Sequence, residues 1–171
     1  IVIFSIVTFF STNHNSESHT FHNDLIQEKE IRFSNLRQLT FSGENAEAYF
    51  SSDGKKLIFQ SHDGDSLCDQ IYIMNIETGS TNMVSTGEGV TTCSYFVYPD
   101  CQKAIYASTH MGNKKCPEKP DYSMGYVWKL YPDYDVFLTD LQTKSLEQLT
   151  NSPGYDAEAT VAFNGSKIVY T

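Results

Sequence analysis

Clustered positive charge is missing from this sequence: 12 Lys and Arg stand against 21 Asp and Glu, for a formal net charge of −9. A nucleic-acid surface needs clustered cations to displace the counterions held by phosphates, so nucleic acid is excluded as a partner. Catalytic signatures are missing too, with no G-x-S-x-G nucleophile elbow, no Gly-rich phosphate loop and no H-E-x-x-H pair. The four cysteines include no C-x-x-C pair, which argues against a zinc site of the usual spacing. Three of the five histidines, His14, His19 and His22, fall in one polar stretch, and His62 and His110 fall where turns are expected. No metal or other cofactor is therefore expected, and no catalytic residue. Apart from its first ten residues the chain has no long apolar run, and a bilayer-spanning helix needs about 20 such residues.

What is present begins with those ten residues. They are apolar except for Ser5 and Thr8, and residues 11–22 turn abruptly to Ser, Thr, Asn and His. The pattern reads as the end of a signal-peptide apolar region followed by a mature start, with no initiator Met, basic leader or A-x-A site, so the chain is expected to be cut at its N-terminus. An uncleaved membrane anchor is the alternative. Residues 1–34 are read as this segment plus a polar linker.

The rest is organised by repetition. Residues 45–59 (NAEAYFSSDGKKLIF) align without a gap to 156–170 (DAEATVAFNGSKIVY), and a weaker copy runs from Thr92 to Tyr106. Each copy is a short strand, a turn of the Asp-Gly kind, a Lys and a second strand, because Gly tolerates the positive φ of a tight hairpin. The following half repeats as well: residues 69–79 match 134–144, and each is trailed by a closing strand at 82–85 or 146–150, with an orphan version at 36–40. Four strands per unit is the make-up of a propeller blade. The expected fold is all-β: a partial β-propeller of four-stranded antiparallel blades at about 41–86 and 87–150, and an incomplete one at 151–171. The chain is expected to continue beyond residue 171, since a half blade leaves an open sheet edge. The second blade carries an insertion at about 111–131, between its second and third strands.

The pattern of Leu-x-x-Leu-Thr, a short strand, Ser-x-Asp-Gly-Lys-Lys-aliphatic-aliphatic-Phe, and a strand ending Met-Asn-aliphatic-x-Thr-Gly resembles the propeller repeats of the TolB family over residues 35–171. Similar blades precede the catalytic domain of prolyl-oligopeptidase-like peptidases. The resemblance implies an exported, periplasmic or secreted, non-catalytic module with a protein partner in the cell envelope. The alternatives are the gating domain of a larger peptidase-like hydrolase and a ligand- or glycan-binding propeller. No stable membrane insertion of the propeller is expected, and nothing in the sequence sets an oligomeric state.

Two groups of residues are candidate binding sites. Glu47 and Glu158 occupy equivalent positions on innermost strands, with Ser94 expected at the same place in the second blade. A carboxylate there can meet a cation or a partner's basic residue, or merely bridge neighbouring blades. The insertion brings Tyr122, Tyr126, Trp128, Tyr131 and Tyr134 close to Asp121, Asp133 and Asp135, either as a binding surface on a loop or as a lid over its own blade. Cys68, Cys93 and Cys116 are disulfide candidates, with Cys68–Cys93 preferred, Cys93–Cys116 second and an all-reduced chain left open. Cys101, in a turn at the opposite end of the strands, is expected to stand alone.

Overall fold

The structure, a computed structural model, describes residues 26–63, 68–118 and 120–171. The signal-like stretch and His14, His19 and His22 lie outside the described residues. The chain divides into two compact units, Ile1–Ser42 and Gly43–Thr171. The described part of the first contains turns, such as Glu30 N–H to Gln27 O at 2.9 Å, and no strand. Residues 36–40, expected as a closing strand, take no regular structure. A strand persists only where a neighbour's ladder satisfies its backbone, which a Leu-x-x-Leu pattern alone cannot supply.

The second unit is built from ten strands, with no helix among the described residues. Strands β1 (Glu44–Phe50), β2 (Lys56–His62), β3 (Gln70–Asn75) and β4 (Thr81–Met83) form one antiparallel sheet in that order. Strands β5 (Thr91–Phe96), β6 (Lys103–Ser108), β7 (Asp135–Asp140) and β8 (Leu146–Gln148) repeat it. A third copy begins with β9 (Thr160–Val161) and β10 (Ile168–Val169). The turns between first and second strands place Gly54 at φ 67°, Cys101 at 52° and Gly165 at 71°. Glycine suits that slot, and at Gly165 a Cβ would also come within 2.9 Å of the Tyr98 carbonyl oxygen.

The blades stack through faces that alternate along each strand. Ala104 and Tyr106 of β6 turn toward the first blade, where they pack with Ile58, Ile71, Phe96 and Phe137. Ile105 turns the other way and packs with Val136, Ala159 and Val161 of the second and third blades. Strand β6 is covered on both faces, so it reads as the apolar run Ala104–Ile105–Tyr106–Ala107 and not as an alternating one. Strand β5 packs beside β1 on one side and β9 on the other, which brings the three first strands together as neighbours.

The connection between β6 and β7 carries the insertion. Its start is pinned by Gly89 N–H to Lys114 O at 2.7 Å and by Thr109 Oγ1–H to Asn113 O at 3.2 Å. The disulfide joins Cys68 to Cys116, across a sequence separation of 48 and a Cα–Cα distance of 5.6 Å. This corrects both expected pairings. Cys93 is free, because it sits within β5 on the inner edge of the blade, whereas Cys68 and Cys116 lie on loops that meet at the rim. Cys101 is free as well.

Candidate functional site: a cleft across three bulged strands

Each first strand is interrupted at one place. The ladder of β1 slips between Ala46 and Tyr49, and that of β5 between Thr92 and Tyr95. In the third copy, Ala157 and Thr171 exchange backbone hydrogen bonds of 3.2 and 3.0 Å, while Thr160 pairs with Val169, the same interval again. An extra residue in one strand is a β-bulge, and it re-aims the side chain it carries. The bulged residues are Glu47, Cys93 and Glu158, at φ 53°, 48° and 55°. Side chains with a Cβ rarely adopt such angles, and backbone strain of this kind gathers at functional sites.

Cys93, and not Ser94, is thus the counterpart of Glu47 and Glu158. The turn between first and second strands is one residue longer in the second blade (97–102) than in the first (51–55), so matching the turns misplaces the preceding strand by one. A polar side chain of the first blade holds the bulge of the second. The Gln60 carbonyl oxygen accepts Cys93 N–H at 3.1 Å and Thr92 Oγ1–H at 3.0 Å, and its amide donates to Asp69 Oδ2 at 2.9 Å.

The three residues line one cleft of about 280 Å³, with Tyr49, Ser94, Tyr95, Ala159 and Thr160. Tyr49 Oη donates to Glu47 Oε2 at 2.9 Å. Burial first, and then the Glu47 bond, push the Tyr49 hydroxyl up to about 12. The Cys93 thiol is pushed up to about 11, by burial above all and also by the carboxylates of Glu47 and Glu158, despite partial offset from a Thr92 hydrogen bond. A thiol held that high is protonated at neutral pH and is a poor nucleophile. Ser94 is only 1% exposed, and its hydroxyl has no protein partner. Aromatic rings continue the site: Tyr49 and Tyr95 lie 5.1 Å apart, Tyr95 and Tyr98 5.6 Å, and Tyr98 and Phe163 6.0 Å. Two carboxylates beside tyrosine faces suit a cationic group. Among the described residues, no cluster of His, Cys, Asp or Glu is arranged to hold a metal ion.

The insertion residues divide into two sets. Tyr131 and Tyr134 turn inward: Tyr131 Oη donates to Glu118 O at 3.0 Å, and Tyr134 is buried with Ala107 and Ala157. Asp133 packs on Gly112, where a Cβ would come within 2.8 Å of its carboxylate. Asp135 opens β7 and accepts from Gln148 Nε2 at 2.9 Å and Thr150 Oγ1 at 3.2 Å, with its carboxyl raised by burial. Tyr122 and Tyr126 face outward as a stacked pair 6.2 Å apart, and Trp128 donates through Nε1 to Tyr155 Oη at 3.0 Å. His62 meets Asp69 Oδ1 at 2.6 Å, and His110 is buried against Phe137 and Ser108. Sequence reasoning missed Cys93, Tyr49 and Tyr95 as site residues, although an aromatic two positions after both Glu47 and Cys93 was there to be read.

No family model matches the chain, and no curated protein does. Solved structures do. TolB from Acinetobacter baumannii is 22% identical over 80% of this chain and 29% of that one, with a TM-score of 0.59. A protein assigned as TolB from Agrobacterium tumefaciens is 19% identical over 78% of this chain and 40% of that one, at 0.60. An oligogalacturonate lyase in complex with manganese is 20% identical over 77% of this chain and 30% of that one, but its TM-score of 0.43 is too low to carry an argument. The chain spans less than half the length of each of these proteins, and its fold over that span is the TolB-type propeller.

Proposed function

We propose that these TolB-type blades form part of an exported, non-catalytic interaction module, and that the bulged strands receive a basic group of a protein partner in the cell envelope. The observation that carries this reading is the convergence of the bulged residues Glu47, Cys93 and Glu158 on one cleft with tyrosine faces. Three successive blades hold the same bulge and aim its side chain there, at a cost of roughly 1–2 kcal/mol per non-glycine residue. Export is supported by the apolar opening stretch and by the Cys68–Cys116 bridge, since disulfides persist in oxidising compartments. A protonated Cys93 and the lack of a catalytic motif in the sequence favour binding over chemistry.

The test is affinity capture from a cell-envelope extract with the wild-type protein and with Glu47→Gln/Glu158→Gln, followed by binding of peptides from any captured partner with each Lys or Arg replaced. The reading expects a partner lost with the double variant and a basic residue on which capture depends. Identical capture by both proteins overturns it.

A further inference from the structure

We infer that the insertion of the second blade reaches into the cleft through two positioning residues: Trp128 holds Tyr155, and Tyr155 holds the Glu158 carboxylate where it meets a basic group. The inference rests on the cleft reading above and names what sets one of its carboxylates. It starts from a gap in the repeat. Glu47 is held within its own strand by Tyr49, whose Oη donates to Glu47 Oε2 at 2.9 Å. The alignment of residues 45–59 with 156–170 puts Thr160 in the place of Tyr49, so Glu158 has no tyrosine two positions on. A tyrosine stands three positions before it instead, Tyr155, where the first blade has Glu44.

Tyr155 lies between the insertion and the cleft. Its ring packs edge-on against buried Tyr134, with centroids 5.4 Å apart at 77°, and this contact fixes where the hydroxyl points. From the insertion, that hydroxyl accepts Trp128 Nε1–H at 3.0 Å. Toward the cleft it faces Glu158 and Cys93. Burial first, and then the Glu158 charge, Cys93 and a bond to the Glu158 side chain, raise the phenol, while the Trp128 bond offsets part of the rise. The direction of the chain is fixed by chemistry. An indole N–H only donates, a carboxylate only accepts, and a phenol does both, so Trp128, Tyr155 and Glu158 can be satisfied in that order and no other. Successive hydrogen bonds in such a chain polarise one another.

The two residues that act on Glu158 are both departures from the repeat. Trp128 belongs to a connection that the first blade lacks, and Tyr155 replaces Glu44. The insertion that presents Trp128 is itself anchored, by the Cys68–Cys116 bridge at one root and by buried Tyr134 at the other. A carboxylate held from an anchored loop has less rotamer freedom left to lose when a cation arrives, which is preorganisation for binding.

Trp128 is the chain's single tryptophan, so its indole N–H gives one signal in a proton–nitrogen correlation spectrum of the intact chain. Tyr155→Phe removes the acceptor and should shift that signal and speed exchange of the indole proton with water. Glu158→Gln should shift it as well. Glu47→Gln, in the same cleft but held by Tyr49, should leave it in place. N-acetyl-arginine amide is the binding probe and the neutral N-acetyl-glutamine amide its control. The arginine probe should move the wild-type indole signal. Tyr155→Phe should weaken its binding, followed on backbone amide signals, about fivefold, the net contribution of one hydrogen bond, and Trp128→Phe should weaken it less. Both variants keep their rings, and an unchanged circular dichroism spectrum confirms the fold. An indole signal that ignores Glu158→Gln, one that answers Glu47→Gln equally, or arginine binding left intact by Tyr155→Phe each overturns the inference. An arginine probe that wild type ignores speaks against the basic-group reading alone, and the ligand-free comparison of the two glutamine variants then decides the inference.

Discussion

The first and second blades have the same four strands, the same order and the same register, yet they differ at the positions that bear on function. Lys56 pairs with Asn75 as Lys103 pairs with Asp140, and Tyr72 pairs with Met83 as Phe137 pairs with Gln148. Against that constancy, Phe59 gives way to Tyr106, Glu47 to Cys93, and the short β2–β3 connection to a long β6–β7 one. The positions held in common bury backbone and core, and any blade needs them. The departures put a thiol between two carboxylates, a hydroxyl into an apolar layer and an aromatic loop on the rim, and none of these helps a sheet to form.

Four changes test that comparison, from the largest expected effect to the smallest. The Cys68–Cys116 bridge is what ties the long connection of one blade to the short connection of the other. Cys68→Ala/Cys116→Ala should cost about 2–4 kcal/mol in urea unfolding, given the 48-residue separation. Wild type in a dithiol reductant should behave like the variant. If the midpoint does not move, the loop is not tied as described.

Tyr106 is fully buried, and its hydroxyl has no partner. Converting it to the first blade's residue, Tyr106→Phe, should stabilise the protein by about 1 kcal/mol, since an unmet buried polar group is removed. The same change bears on alkaline pH. Burial raises Tyr106 from 10.0 to about 12, so the folded state holds that proton more tightly than the unfolded chain does. Its contribution is complete below pH 10 and lost as pH rises toward 12. Tyr106→Phe should make the decline in stability across that window shallower.

Glu47 and Glu158 set function against strain. Glu158→Gly relieves a left-handed φ and should raise stability by roughly 0.5–1 kcal/mol in thermal unfolding while weakening partner capture. A variant that loses both stability and binding would mean that the glutamate is structural. The smallest effect is expected at Ser94, where Ser94→Ala should leave stability within about 0.5 kcal/mol of wild type, or slightly above it, because the hydroxyl has no protein partner to lose.

The repeat was legible because paired strands of fixed length leave a periodic residue pattern: Asp53–Gly54 and Asn164–Gly165 mark turns that the structure places at positive φ. The insertion was equally plain, as an excess between matching strands. Three features were not. The bulge position in the second blade was misplaced because the 97–102 turn has one residue more than the 51–55 turn, and spacing measured from the turn carries that residue into the strand. The disulfide partners were not legible because Cys68 and Cys116 meet through the path of two loops, which strand spacing does not encode. The division of the insertion's aromatics depends on which rings find a neighbouring blade: Tyr131 and Tyr134 pack inward and Trp128 bonds Tyr155, whereas Tyr122 and Tyr126 stack as an exposed pair, and composition is the same for both sets.

The central claim is that β1, β5 and β9 aim Glu47, Cys93 and Glu158 into one shared cleft, and Cys93 is the probe for it. Its alkylation rate should be measured against pH with Cys101 replaced by serine, in the wild-type site and in Glu47→Gln/Glu158→Gln. The account predicts a thiol that titrates near 11 and moves down when the carboxylates are neutralised. A thiol that titrates at its ordinary 9.0 and ignores both substitutions would contradict it.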